Sequence, residues 1–145
     1  MIDSPYNEPI IKRVGKVGFV CSCFDLLHAG HCLMFKDCKK QCEWLIAGLQ
    51  IDPTIDRPEK NKPIQSLEER RIQLESIKYV DQIEVYDTES DLVRLIEAIN
   101  PDVRILGSDY TNKSFTGDHL DIPIYYHDRN HDWSTSELRE RIIQA

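Results

Sequence analysis

Residues 16–49, KVGFVCSCFDLLHAGHCLMFKDCKKQCEWLIAGL, decide the fold. The run from Lys16 to Ser22 is short, carries the β-formers Val17, Phe19 and Val20, and follows Gly15, so it reads as a strand. From about His28 to Gln41 the apolar positions Leu33, Met34, Phe35 and Cys38 recur at helical spacing. Trp44 to Leu49 is then almost unbroken apolar, the pattern of a strand covered on both faces. The stretch is a strand-helix-strand unit.

Outward from it the alternation persists. Ser66 and Glu69 have the form of a capping box, and Leu67, Leu74 and Ile77 mark the apolar stripe of a helix running to about Tyr79. Gln82 to Tyr86 is expected as a third strand, Glu89 to Asn100 as a third helix halted by Pro101, and Val103 to Gly107 as a fourth strand. Ile122 to His127 is expected as the fifth, and Ser134 with Glu137 makes another capping box, opening a last helix to about Gln144. This order predicts the α/β class: a Rossmann-like open parallel five-stranded sheet with helices on both faces. Ligands bind such sheets beyond the carboxyl ends of the strands, near the switch in strand order.

With 145 residues, 30% charged and 41% hydrophobic, the chain is expected to fold as one domain, 16–145, behind an N-terminal extension, 1–15. Pro5 and Pro9 argue against a helix in that extension, which is expected to order against a partner subunit. No apolar run approaches the roughly 18 residues that cross a bilayer, and the start lacks a signal-peptide pattern, so a cytoplasmic protein away from membranes is expected. A net charge of −7 argues against a general nucleic-acid binder, which needs a broad basic surface. Any phosphate site must therefore be locally basic. The five cysteines, Cys21, Cys23, Cys32, Cys38 and Cys42, are read as reduced thiols. Neither Cys21-Ser22-Cys23 nor Cys38 with Cys42 has Cys-x-x-Cys spacing, so packing is the preferred reading; a weak metal pair at Cys38 and Cys42, four apart on one helical face, is the alternative.

Three polar loops converge on the expected ligand edge: Ser22 to His31, Gly107 to Gly117, and His127 to Ser134. His28 and His31, three apart at a helix start, share one face of its first turn. Gly30 between them removes a side chain and lets phosphates approach the backbone, while the helix start supplies unpaired N–H groups and partial positive charge. The loop Arg57-Pro58-Glu59-Lys60-Asn61-Lys62 supplies cations. Each feature has a plainer reading. Isolated histidines are usually ordinary surface or core residues, a lysine loop is usually a solvated connection, and Ser134 alone is an N-cap worth about 1 kcal/mol. Their coincidence at one rim favours the functional reading.

The segment Cys23-Phe24-Asp25-Leu26-Leu27-His28-Ala29-Gly30-His31 resembles the opening motif of the cytidylyltransferase group of nucleotidyltransferases, with the wider likeness nearest to glycerol-3-phosphate cytidylyltransferases. The likeness extends from about Lys16 through Glu69-Arg70, Tyr79-Val80-Asp81 and Gly107-Ser108-Asp109-Tyr110 with Lys113, to Arg129 and Trp133-Ser134-Thr135-Ser136. It implies direct attack of an acceptor phosphate oxygen on the α-phosphorus of CTP, with pyrophosphate leaving. The residues then position the reactants and stabilise negative charge. By the resemblance, His28, His31, Lys60, Lys62 and Arg129 are the catalytic set. Ser22, Cys23, Phe24, Gly30, Gly107, Asp109, Ser134 and Thr135 bind the nucleotide, and Asp25, Lys78 and Tyr110 the acceptor. Mg²⁺ is expected through the triphosphate rather than on protein ligands, with Asp25 as a contributor, and a homodimer is implied.

Departures from the pattern bear on substrate. Ser22-Cys23 stands where Gly-Thr is usual, Lys78 where relatives carry arginine, and Asn130-His131-Asp132 where they show other residues. The expected acceptor is glycerol 3-phosphate, giving CDP-glycerol. The alternatives are an adenylyltransferase, a cytidylyltransferase for another phosphorylated polyol or amino alcohol, and a catalytically inert nucleotide-binding module.

Overall fold

A computed structural model describes residues 15–145. The expectations for the N-terminal extension fall, apart from Gly15, outside the described residues. Five strands, β1 (Val17–Ser22), β2 (Trp44–Gln50), β3 (Gln82–Tyr86), β4 (Val103–Gly107) and β5 (Ile124–His127), form one sheet in the order β3-β2-β1-β4-β5. Every pairing is parallel. The helices are α1 (Ala29–Lys40), α2 (Leu67–Glu75), α3 (Glu89–Ile99) and α4 (Thr135–Gln144). The α/β expectation is met.

The period-two alternation of β1 and β2 divides the core between the two faces of the sheet. Val20, Leu45, Ala47 and Leu49 pack with Phe35 and Cys38 of α1 and Leu74 of α2. Val17, Phe19 and Ile46 pack on the other face with Leu92, Leu95, Ile96 and Ile99 of α3. At Gly18 an added Cβ would lie 2.7 Å from Cys42 Sγ, so this glycine sets how closely the end of α1 approaches the sheet. Cys38 and Cys42 are core residues, buried at 0% and 7% exposure, and all five cysteines are unpaired.

Two boundaries and one cap differ from the sequence expectation. Helix α2 ends at Glu75 rather than near Tyr79, because Ser76 caps it and the chain continues in single turns, Ile77 N–H to Leu74 and Val80 N–H to Ile77. Strand β5 starts at Ile124 rather than Ile122: Pro123 has no N–H for the ladder, and the Ile122 N–H turns back to Leu120. The box at Ser66 and Glu69 is reciprocal, whereas Ser134 accepts from the Glu137 N–H without a return bond.

The chain runs outward from β1 to β2 and β3, then crosses back to β4 on the other side of β1. The strand order therefore switches between β1 and β4, opening a crevice at their carboxyl ends.

Candidate active site

Over that crevice lies a cavity of about 790 Å³, adjoined by a smaller compartment of about 380 Å³. The smaller compartment lies between the starts of α1 and α4 and the ends of β4 and β5. The larger extends over β2 and β3.

The start of α1 is built from the two histidines. His28 is the N-cap, its Nδ1 accepting the Gly30 N–H at 3.0 Å, while His31 Nδ1 accepts the His28 N–H at 3.2 Å. This is a capping box with imidazoles in place of the usual hydroxyl and carboxylate. It also fixes chemistry. A nitrogen that accepts from a backbone N–H carries no hydrogen, so each ring, when neutral, holds its hydrogen on Nε2. The rings lie 4.1 Å apart between centroids. His28 Nε2 stands 3.3 Å from the Thr135 hydroxyl at the first turn of α4, so two helix beginnings meet. Burial, with Arg129 and His131 nearby, lowers the His28 pKa. Burial, followed by the charges of His28 and Arg129, lowers that of His31 to about 3. Both imidazoles are therefore neutral N–H donors at neutral pH.

The loop before them is strained and locked. Phe24 and Leu26, neither glycine, have φ of +50°. Phe24 is fully buried against Phe35, and its ring is 6.2 Å from His31, so it forms the floor of the site. Asp25, 7% exposed, accepts from the N–H groups of Ile64 and Gln65 at 2.8 and 3.0 Å and from Arg139 Nη2 at 3.2 Å. The Leu26 N–H donates to Gln65 Oε1. Arg70, 2% exposed, donates to the carbonyls of Cys23, Gln50, Ile51, Gln65 and Ser66. Its guanidinium joins the ends of β1 and β2 to α2.

Most residues expected at the site do gather there. Ser22, His31, Gly107, Tyr110 and Thr135 line both compartments; His28, Gly30, Phe24, Asp109, Arg129 and Ser134 line the smaller; Cys23, Asp25 and Lys60 line the larger. A Cβ on Gly107 would lie 2.6 Å from Asp109 Oδ1, so a larger residue there would turn the Asp109 carboxylate aside. Two expected residues are placed otherwise. Lys78 precedes β3 at the opposite end of the sheet, its ammonium over the Tyr79 ring at 5.2 Å, and does not reach the cavity within this chain. The side chain of Lys62 lines neither compartment, although its carbonyl is 3.5 Å from Arg139 Nη2. Asp25 is spent on positioning, since both its oxygens are already engaged.

Several lining residues carried no clear sequence signal. Arg104 and Arg139 join Arg57 of the basic loop in supplying positive charge to the larger compartment, beside Gln50 and Glu89. Arg139, four residues after Thr135 on α4, was legible in principle, as helical spacing turns it toward the same rim. Arg104 was not, because an arginine inside a buried strand is invisible to an apolar-run reading. His127 and His131 line the smaller compartment.

Sequence comparison supplies the family, and comparison with solved structures the fold. The sequence profile described as cytidylyltransferase-like covers residues 19–141. The chain belongs to the cytidylyltransferase-like family. It is 34% identical over 136 residues to the bifunctional protein HldE of Helicobacter pylori (strain HPAG1), covering 93% of this chain and 29% of that protein. It is 38% identical over 103 residues to HldE of Caulobacter vibrioides, covering 70% and 21%. The chain thus spans less than a third of the length of these curated relatives. Among solved structures, the lipopolysaccharide core biosynthesis protein of Thermoplasma volcanium shares the fold with a TM-score of 0.63 at 23% identity, covering 79% of this chain and 96% of that one. The pantoate-beta-alanine ligase of Francisella tularensis shares it with a TM-score of 0.56 at 15% identity, covering 90% and 71%. The family is cytidylyltransferase-like, while these curated relatives are HldE proteins rather than glycerol-3-phosphate enzymes. No helix among the described residues is long and apolar enough to cross a membrane.

Proposed function

We propose that this cytidylyltransferase-like chain transfers a nucleoside monophosphate from a nucleoside triphosphate to the phosphate of a small phosphorylated alcohol, releasing pyrophosphate. The observation that carries the reading is the 3.3 Å approach of His28 Nε2 to the Thr135 hydroxyl, which brings two helix starts and both imidazoles to one point. Helix N-termini favour phosphate oxygens, and neutral Nε2–H donors complement charge that grows on them during in-line attack. His28 and His31 donate to the triphosphate, Ser134 and Thr135 hold its far end through hydroxyls and backbone N–H groups, and Arg129 and Lys60 neutralise charge.

Mg²⁺ enters with the triphosphate in this reading. Asp25 already accepts from two backbone N–H groups and Arg139, so in this reading the ion is held by phosphate oxygens. When bound, the ion supplies charge neutralisation across those oxygens.

The finer assignment taken from the resemblance is CTP with glycerol 3-phosphate, giving CDP-glycerol in a cytoplasmic homodimer. A second reading keeps the chemistry but takes ATP and a larger phosphorylated sugar. It is suggested by the relatives' being HldE proteins and by the size of the larger compartment, about 790 Å³. A pyrophosphate-release screen of CTP and ATP against glycerol 3-phosphate and sugar phosphates, with Mg²⁺, tests both. Release in one pairing identifies the substrates; release in none refutes the enzyme reading.

A further inference from the structure

We propose that His127 and Asp37 distinguish nucleobases carrying an exocyclic amino group from those carrying a carbonyl at that position. The inference rests on the nucleotidyltransferase reading and extends it to the base of the donor.

His127 closes β5, is 6% exposed, and lines the smaller compartment. Its Nδ1 lies 2.7 Å from Oδ2 of Asp37 on α1, and the Tyr125 hydroxyl donates to both oxygens of the same carboxylate at 3.1 and 3.2 Å. A carboxylate only accepts, so Nδ1 carries the hydrogen. In the neutral ring Nε2 is then a lone pair. Among the described residues that buried atom has no hydrogen-bond partner. A dry acceptor without a donor is costly, and a ligand donor relieves the cost.

The ligand part that meets it is the base. Phosphates belong at the starts of α1 and α4, where donors converge, and a lone pair repels phosphate oxygen. The smaller compartment is bounded by the His131 and Trp133 rings, 5.3 Å apart and tilted by 33°. At Gly30 an added Cβ would stand 2.8 Å from His28 Cε1 and 3.0 Å from His131 Cε1, so the two imidazoles close on the backbone there and the exposed Trp133 ring is the surface left for a flat base to stack on. Adenine and cytosine present an amino donor where guanine and uracil present a carbonyl. The first pair satisfies Nε2; the second sets acceptor against acceptor.

Asp37 sets the sign of the preference. Asparagine keeps the shape, but with Tyr125 donating to the amide oxygen, the amide nitrogen faces His127 Nδ1 and the ring tautomer inverts, turning Nε2 into a donor. The test is calorimetric titration of the full chain with ATP, CTP, GTP and UTP in the presence of Mg²⁺. The wild type is expected to bind the better of ATP and CTP roughly tenfold or more tighter than the better of GTP and UTP. Asp37→Asn cancels or reverses that ratio, and His127→Phe brings all four within about threefold. Equal affinities, a wild-type preference for GTP or UTP, or an Asp37→Asn protein that melts like wild type and keeps the preference overturns the inference. Should Asp37→Asn fail to fold, His127→Phe decides alone. Because affinity is read, a preference without pyrophosphate release refutes the enzyme reading only, whereas binding of no triphosphate refutes both.

Discussion

Replacing His31 isolates the chemistry of the site from its charge. Its pKa of about 3, against 6.5 for free imidazole, means that a proton on this ring is disfavoured by something on the order of 5 kcal/mol, so the ring works as a neutral Nε2–H donor. Loss of one preorganised donor costs about 10²–10³ in kcat, or roughly 3–4 kcal/mol. His31→Ala is therefore expected to lower kcat by that factor. It also removes the acceptor of the His28 N–H, so the helix loses about 1 kcal/mol of capping and the folded fraction must be checked by circular dichroism. His31→Gln offers a neutral N–H donor and is expected to recover much of the loss; His31→Lys, which brings charge into a desolvated position, is not. The assay is pyrophosphate release at saturating concentrations of whichever triphosphate and acceptor the wild type turns over fastest. An alanine variant within threefold of wild type, or rescue by lysine but not by glutamine, would show that the donor argument is wrong.

Four further outcomes follow from the same geometry. Arg70→Met leaves strand-end carbonyls without their buried cation and is expected to cost about 3–5 kcal/mol in urea unfolding; a loss under 1 kcal/mol contradicts its joining role. Asp25→Asn releases Arg139 and the segment at Ile64 and Gln65, so KM for the triphosphate should rise severalfold with a smaller change in kcat, whereas an unchanged KM removes Asp25 from positioning. Unfolded His31 takes up a proton below about pH 6.5 that the folded chain refuses until about pH 3, so thermal stability should decline as pH falls through that window, less so in His31→Gln; a difference between the two that is flat with pH refutes the assignment. Gly18→Ala, meeting Cys42 Sγ at 2.7 Å, should cost about 1–3 kcal/mol, and Cys42→Ala in the same chain should restore part of it.

The fold was legible because local signals agreed with one another. The all-apolar run of β2, the reciprocal box at Ser66 and Glu69, and the stop at Asn100, which adopts φ +46° before Pro101, each pointed to the same alternation. What escaped was long-range. Nothing local announces that Arg70 reaches carbonyls some 20 and 47 positions away, that Asp25 is consumed by a distant loop, or that Asp37 and Tyr125 frame His127. The misplacement of Lys78 has the same origin: charge and motif likeness were readable, but which end of the sheet it occupies follows from topology.

The double bond of Asp25 to the Ile64 and Gln65 N–H groups has a mechanical consequence for the basic loop. Moored there, and on its other side by the Arg57 N–H to the Pro53 carbonyl and the Arg57–Glu89 ion pair, the loop is held at both ends. Lys60, four residues upstream, is on a tether of at most about 14 Å when fully stretched. The sweep of its ammonium is thus bounded by chain length as well as by attraction, and lengthening the segment between Lys60 and Ile64 by a few glycines would loosen the leash without touching a single charge.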